Sequence, residues 1–200
     1  MQLFIISFLA FCGLIVLCNG ECTEGVYEYG VSEEEKNYIL ETHNSLREDL
    51  ANDRVPGQPR AINLKRFEWD DYLAGQAQDI ANTCEYGHRP VQDSRDSVGQ
   101  NIARSQTTNY IPGANWTETL ISQWWDEYKK YVYQDGVQDD TLHYTQMAWD
   151  DTHLVGCGYT YYDVGGEFPF FKFYVCNYSP AGNSDRYPYQ TGESGCENLC

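Results

Sequence analysis

The 200 residues suit one domain with short tails and exclude a long modular architecture. Lys and Arg number 13 against 30 Asp and Glu, a formal charge of −17, so the surface repels phosphate backbones and anionic headgroups, and nucleic acid is excluded as a partner. Hydrophobic residues make up 42% and aromatics 15%, more than a disordered acidic chain carries, and a packed core is required.

The long apolar run from Leu3 to Cys18 carries no charge and is followed by Asn19-Gly20. It reads as a secretory signal peptide over residues 1–20, cleaved after Gly20 and followed by an N-terminal arm over 21–32. Cleavage removes Cys12 and Cys18 and leaves Cys22, Cys84, Cys157, Cys176, Cys196 and Cys200, an even set that suits an oxidising compartment. Spacing alone does not choose among their pairings. Neighbouring strands favour Cys157 with Cys176, Cys196 and Cys200 are placed to close a small loop, and Cys22 is then left for Cys84. No close CxxC pair is present to make a zinc ribbon.

Ser32 and Glu35 have capping-box spacing, and Glu33 and Glu34 suit the positive end of a helix dipole. Ile39, His43, Leu46 and Leu50 then define one helical face, which the turn formers Val55-Pro56-Gly57-Gln58-Pro59 bring to an end. His43 on this face is expected to be buried and satisfied, and Arg47 to be a structural ion-pair partner. A second helix follows Trp69-Asp70-Asp71, with Leu73, Ala77, Ile80, Ala81 and Cys84 on a small-residue stripe, and is expected to end near Gly87. Arg89 to Gly113 shows no sustained period and reads as loop, with a short helical turn at Gly99 to Ala103. A third helix starts around Thr117, presents Leu120, Ile121, Trp124, Tyr128 and Tyr131, and ends before Gly136. Leu154 to Tyr161 and Phe170 to Tyr178 are aromatic and β-branched strands joined by the turn Asp163-Val164-Gly165-Gly166. Helices early and strands late give an α+β domain with helices packed on an antiparallel sheet.

Several motifs then fall into one order. His43-Asn44 with Arg47, Trp69, Cys84 with His88, Gly99-Gln100-Asn101-Ile102, Trp125-Asp126-Glu127-Tyr128, His143-Tyr144-Thr145-Gln146-Met147-Ala148-Trp149, Gly156-Cys157-Gly158 and Cys176-Asn177-Tyr178-Ser179-Pro180-Ala181-Gly182-Asn183 resemble the signatures of the CAP superfamily. That superfamily groups cysteine-rich secretory proteins, antigen 5 and plant pathogenesis-related proteins, and the match looks most like its invertebrate venom-allergen branch. The resemblance covers residues 33–183 and leaves 184–200 as a cysteine-containing tail. It implies an α-β-α sandwich with a central antiparallel sheet and disulfide staples.

The resemblance also implies a central cleft, whose two histidines and two acidic positions map onto His88, His143, Glu127 and Gln100. His88 and His143 would be the ligands of a zinc or other divalent cation, with no cofactor required. Gln100 is neutral and cannot act as the general base that a carboxylate there would provide. Leu142 stands before His143 where the pattern has Gly or a charged residue, and is expected to alter the turn that aims this histidine. The bland alternative is a pair of structural histidines.

No GxSxG elbow, HExxH helix or unpaired cysteine marks a hydrolase, so a metal-dependent or serine-type protease ranks last. Binding ranks first: the resemblance implies a sterol, fatty acid or other lipid as cargo, in a host-interaction or immunomodulatory setting. Tyr161-Tyr162 and Phe168-Pro169-Phe170-Phe171 are candidates to line an apolar pocket, against the simpler reading that they pack the sheet. A host receptor or ion channel is the alternative partner, and the resemblance allows monomer or homodimer. Of two glycosylation sequons, Asn115-Trp116-Thr117 lies in a loop and is the credible acceptor, whereas Asn177-Tyr178-Ser179 leaves a buried strand.

Overall fold

The computed structural model describes residues 25–200, so the expected signal peptide, the first four residues of the arm and Cys22 lie outside the described residues. The elements in order are β1 (Val26–Tyr29), α1 (Glu33–Ala51), β2 (Glu68–Trp69), α2 (Asp71–Ala81), β3 (Gly99–Thr107), a wide-turn π-helix (Glu118–Trp124) running into a 3-10 segment (Trp125–Lys129), α3 (Leu142–Met147), β4 (Leu154–Asp163) and β5 (Phe170–Ser179).

The sheet runs β1-β4-β5-β3 with antiparallel neighbours, and the two-residue β2 adds a parallel contact to β4. It is covered on both faces. Alternation along β5 sends Tyr174, Cys176 and Tyr178 into a core shared with Ile39 and Leu50 of α1, Leu120 and Trp124 of the π-helix, and Tyr144 and Met147 of α3. Phe171, Phe173 and Val175 point the other way, against Ala77, Ile80 and Ala81 of α2. The result is an α-β-α sandwich, as the resemblance implies.

Local chemistry explains the helix starts. Ser32 Oγ accepts from the Glu35 N–H while the Glu35 carboxylate accepts from the Ser32 N–H, the reciprocal capping box. Asp70 caps α2 through the Leu73 N–H. Glycine lets α2 lie directly on the sheet: a Cβ on Gly156 would sit 2.2 Å from the Ala74 nitrogen, and one on Gly158 2.4 Å from the Gln78 nitrogen.

Cys157 and Cys176 are opposite one another on β4 and β5, Cα to Cα 4.1 Å, and are bonded; Cys196 and Cys200 close the short C-terminal loop. The tail docks on residues 61–64, where Ile62 and Leu64 carbonyls accept from the Cys196 and Cys200 N–H groups.

Four expectations are corrected. Gly99 to Thr107 is no helical turn within a loop but a nine-residue strand, paired with β5 over its whole length. The third helix is not continuous: the wide turns give way to 3-10 turns, which bury the consecutive Trp124 and Trp125 together. The second helix stops at Ala81 with cap Asn82, well before Gly87, so Cys84 lies past it in the left-handed region at φ 54°. Cys84 is disulfide-bonded, while its expected partner Cys22 is outside the described residues. Arg47 makes no ion pair among the described residues. Fully buried, it donates from Nε to Met147 O (2.7 Å), from Nη1 to Lys65 O (2.6 Å) and Thr152 O (2.8 Å), and from Nη2 to Trp149 O (2.7 Å), with its guanidinium over the Phe67 ring. A planar fork of donors ties four carbonyls from three chain segments without a carboxylate.

Candidate functional site

The four residues expected in the cleft are brought together. His88, Gln100, Glu127 and His143 line a cleft of about 380 Å³, with Asn101, Asp139, Leu142 and Asn183 completing its wall.

Glu127, on the 3-10 segment, does two jobs with its two oxygens. Oε2 accepts from the N–H groups of His143 (2.9 Å) and Tyr144 (3.1 Å), the first turn of α3, whose N-cap Thr141 makes no side-chain cap bond. Oε1 accepts from His143 Nδ1 at 2.7 Å. The ring of His143 also stacks on Trp124, centroids 6.0 Å apart and planes 18° apart, and Asn101 Nδ2 donates to the His143 carbonyl. His143 therefore sits in the first turn of a helix. Leu142 is the first residue of α3, and its carbonyl accepts from Asn183 Nδ2.

His88 lies on the exposed segment after α2, its Nδ1 3.1 Å from Gln100 Oε1. Gln100 is on β3, opposite Asn177 of β5, and its Nε2 donates to Asn177 Oδ1 (2.9 Å) and Arg89 O (3.2 Å). Neither cleft imidazole is bonded to a serine or threonine hydroxyl among the described residues.

His43 stays out of the cleft, as expected. Its Nδ1 meets the Ile39 carbonyl at 2.8 Å and its Nε2 the Tyr178 hydroxyl at 3.0 Å, both buried. The aromatic pocket is corrected: Tyr161, Tyr162 and Phe171 are buried in sheet packing, and only Phe168 of that run is well exposed. Asn177 is fully buried and donates to the Leu73 carbonyl, whereas Asn115 is exposed at the start of the helical segment. The sequence reading missed Asp139 because a carboxylate in a turn-rich stretch carries no pattern; Asn101 and Asn183 had been visible as motif members without a role.

The CAP profile, described as the cysteine-rich secretory protein family, matches residues 40–178. The chain belongs to the cysteine-rich secretory protein family. Among curated family members, the salivary antigen-5 of Triatoma infestans is 35% identical over 95% of this chain and 88% of its own length. Among solved structures of the family, venom allergen-like protein 4 of Schistosoma mansoni is 32% identical, with a TM-score of 0.62 over 82% of this chain and 97% of that one. NaASP2 with Zn2+ is 29% identical, with a TM-score of 0.66 over 86% of this chain and 97% of that one.

The donor set decides how far a cation fits this family member. Two imidazoles have their Nδ1 atoms tied to protein oxygens, which is how ligating histidines are commonly oriented. Gln100 adds no charge, and no group of three or more His, Cys, Asp or Glu suited to a metal occurs among the described residues. The set fits an exchangeable ion on two nitrogens and does not fit a closed structural zinc site, which takes four protein ligands.

Proposed function

We propose that this protein acts outside the cell by binding, and that its cargo is a sterol or another neutral lipid. The observation that carries the reading is a groove of about 750 Å³ between α1 and residues 114–117, within the size range of small-molecule sites. Its apolar side is Tyr38, Ala114 and Trp116; its rim carries Glu33, Glu34 and Glu41. Trp116 is 3% exposed, and its indole Nε1 has no partner among the described residues. The carboxylate rim opposes a fatty-acid headgroup and tolerates a neutral one.

The disulfides and the salivary and venom names of the relatives support an extracellular setting, with host interaction as the biological role. Asn115, at the groove's edge, is the proposed glycan acceptor, seen as a mass shift that Asn115→Gln abolishes. The cleft is proposed as a second, weak site, in which His88 and His143 would hold a divalent cation that supplies positive charge to a ligand.

The test is equilibrium binding of labelled cholesterol and palmitate to the oxidised protein, each competed by unlabelled ligand. Cholesterol is expected to saturate at about one per protein and to compete more strongly than palmitate, with the gap narrowing as salt screens the rim. Absence of saturable binding for both overturns the carrier reading and moves the search to a protein receptor.

A further inference from the structure

The hydrogen bonds behind the cleft run in one direction, because backbone groups at two points leave no choice of donor and acceptor. Asn177, fully buried, has Nδ2 3.1 Å from the Leu73 carbonyl. A carbonyl only accepts, so the Asn177 amide must turn its Oδ1 away from Leu73 and toward Gln100. Gln100 meets the same constraint twice more. The Arg89 carbonyl is 3.2 Å from its Nε2, and the Arg89 N–H donates to its Oε1 at 3.2 Å. Both groups of one backbone residue, together with Asn177 Oδ1, therefore orient the side-chain amide the same way. The oxygen left facing His88 Nδ1 at 3.1 Å can only accept.

We infer that Gln100 is a positioning residue: its amide, oriented by Arg89 and Asn177, holds neutral His88 with the proton on Nδ1 and leaves Nε2 as the electron-pair donor. Glu127 does the same for His143 through Oε1, since a carboxylate facing Nδ1 draws the proton there. The cleft thus offers two Nε2 lone pairs, one set by an amide and one by a carboxylate. A glutamate at position 100 would still accept from His88, but would face Arg89 O and Asn177 Oδ1 without donors for either. This explains how an amide serves where the resemblance has an acidic position: the role is acceptance from an imidazole, which an amide oxygen fulfils.

The test uses the 15N-labelled oxidised protein at a pH where imidazoles are neutral, with long-range 1H–15N spectra. The chain has four histidines, His43, His88, His143 and His153, so single His→Gln variants assign them. His88 and His143 are expected to show pyrrole-like Nδ1 and pyridine-like Nε2. In Gln100→Ala the two His88 nitrogens should move toward averaged values while His143 stays put, and Gln100→Glu should restore the Nδ1–H form. A wild-type His88 protonated on Nε2, or a Gln100→Ala spectrum with His88 unchanged, overturns the inference; if Gln100→Ala fails to fold, the wild-type spectrum decides alone.

Zinc titration supplies a second readout, which rests on the proposed cation site whereas the spectra do not. Gln100→Ala should weaken zinc binding by about tenfold or more. Equal zinc affinity in both proteins overturns the positioning role toward the ion. No zinc binding by the wild type overturns the cation reading and leaves the tautomer to be judged by the spectra.

Discussion

His43 shows what burial does to a single titratable group. Enclosed by α1 and the sheet, its imidazole is pushed down to about 4, first by desolvation and also by the nearby Arg47 charge, against the bond to the Ile39 carbonyl. The Ile39 carbonyl accepts from Nδ1, so Nε2 accepts from the Tyr178 hydroxyl, and the neutral ring is satisfied on both sides. The unfolded chain takes up its proton near pH 6.5 and the folded chain only near 4. Stability is therefore full above about 6.5 and falls as pH drops toward 4, by about 3 kcal/mol from this group. Urea midpoints measured between pH 7 and 5, above the main carboxylate range, should fall steadily. A His43→Asn variant, less stable overall, should lose most of that slope. Helical spacing alone had put this histidine on the inner face. That Arg47, one turn on, would bind four carbonyls and no carboxylate was not legible, because its partners come from residues 65, 147, 149 and 152.

Between elements, the contact of α2 with β4 depends on glycine at positions that alternate toward the helix. A methyl group at Gly158 would press on the Gln78 nitrogen and, at 2.6 Å, on the Ala77 carbonyl carbon, both backbone atoms without freedom to move. Gln78 also clamps the strand, its Nε2 donating to Tyr159 O and its Oε1 accepting from Tyr159 N. Gly158→Ala should therefore destabilise by about 2 kcal/mol or more through overpacking. Gly75 lies on the exposed side of the same helix with nothing within 4 Å of its virtual Cβ, and Gly75→Ala should stabilise by about 0.5–1 kcal/mol. Opposite signs for one substitution on the two sides of this contact, read from thermal midpoints, check the packing. The small-residue stripe of α2 was visible in the sequence; its partner strand was not.

Across the whole molecule, the family resemblance implied the membership of the cleft, and the sequence by itself determined the α+β class, the starts of α1 and α2 and the hairpin of β4 and β5. These rest on signals local in the chain: capping residues, apolar periodicity, turn formers and motifs in order. Tertiary structure alone decided the rest. Gly99 to Thr107 has few apolar residues and no clear alternation, and it becomes a strand because β5 offers nine paired positions. The expected third helix changes winding where Trp124 and Trp125 both enter the core, and the 3-10 turns that follow carry Glu127, whose carboxylate caps α3. The groove beside α1 forms only where residues 114–117 come to lie against its first turns, with Trp116 packed on Tyr159 of β4 and Tyr174 of β5. Periodicity records which way a residue faces within its own element. Which distant backbone meets that face, and so what His88, Glu127 or Trp116 can bind, is fixed only when the layers close.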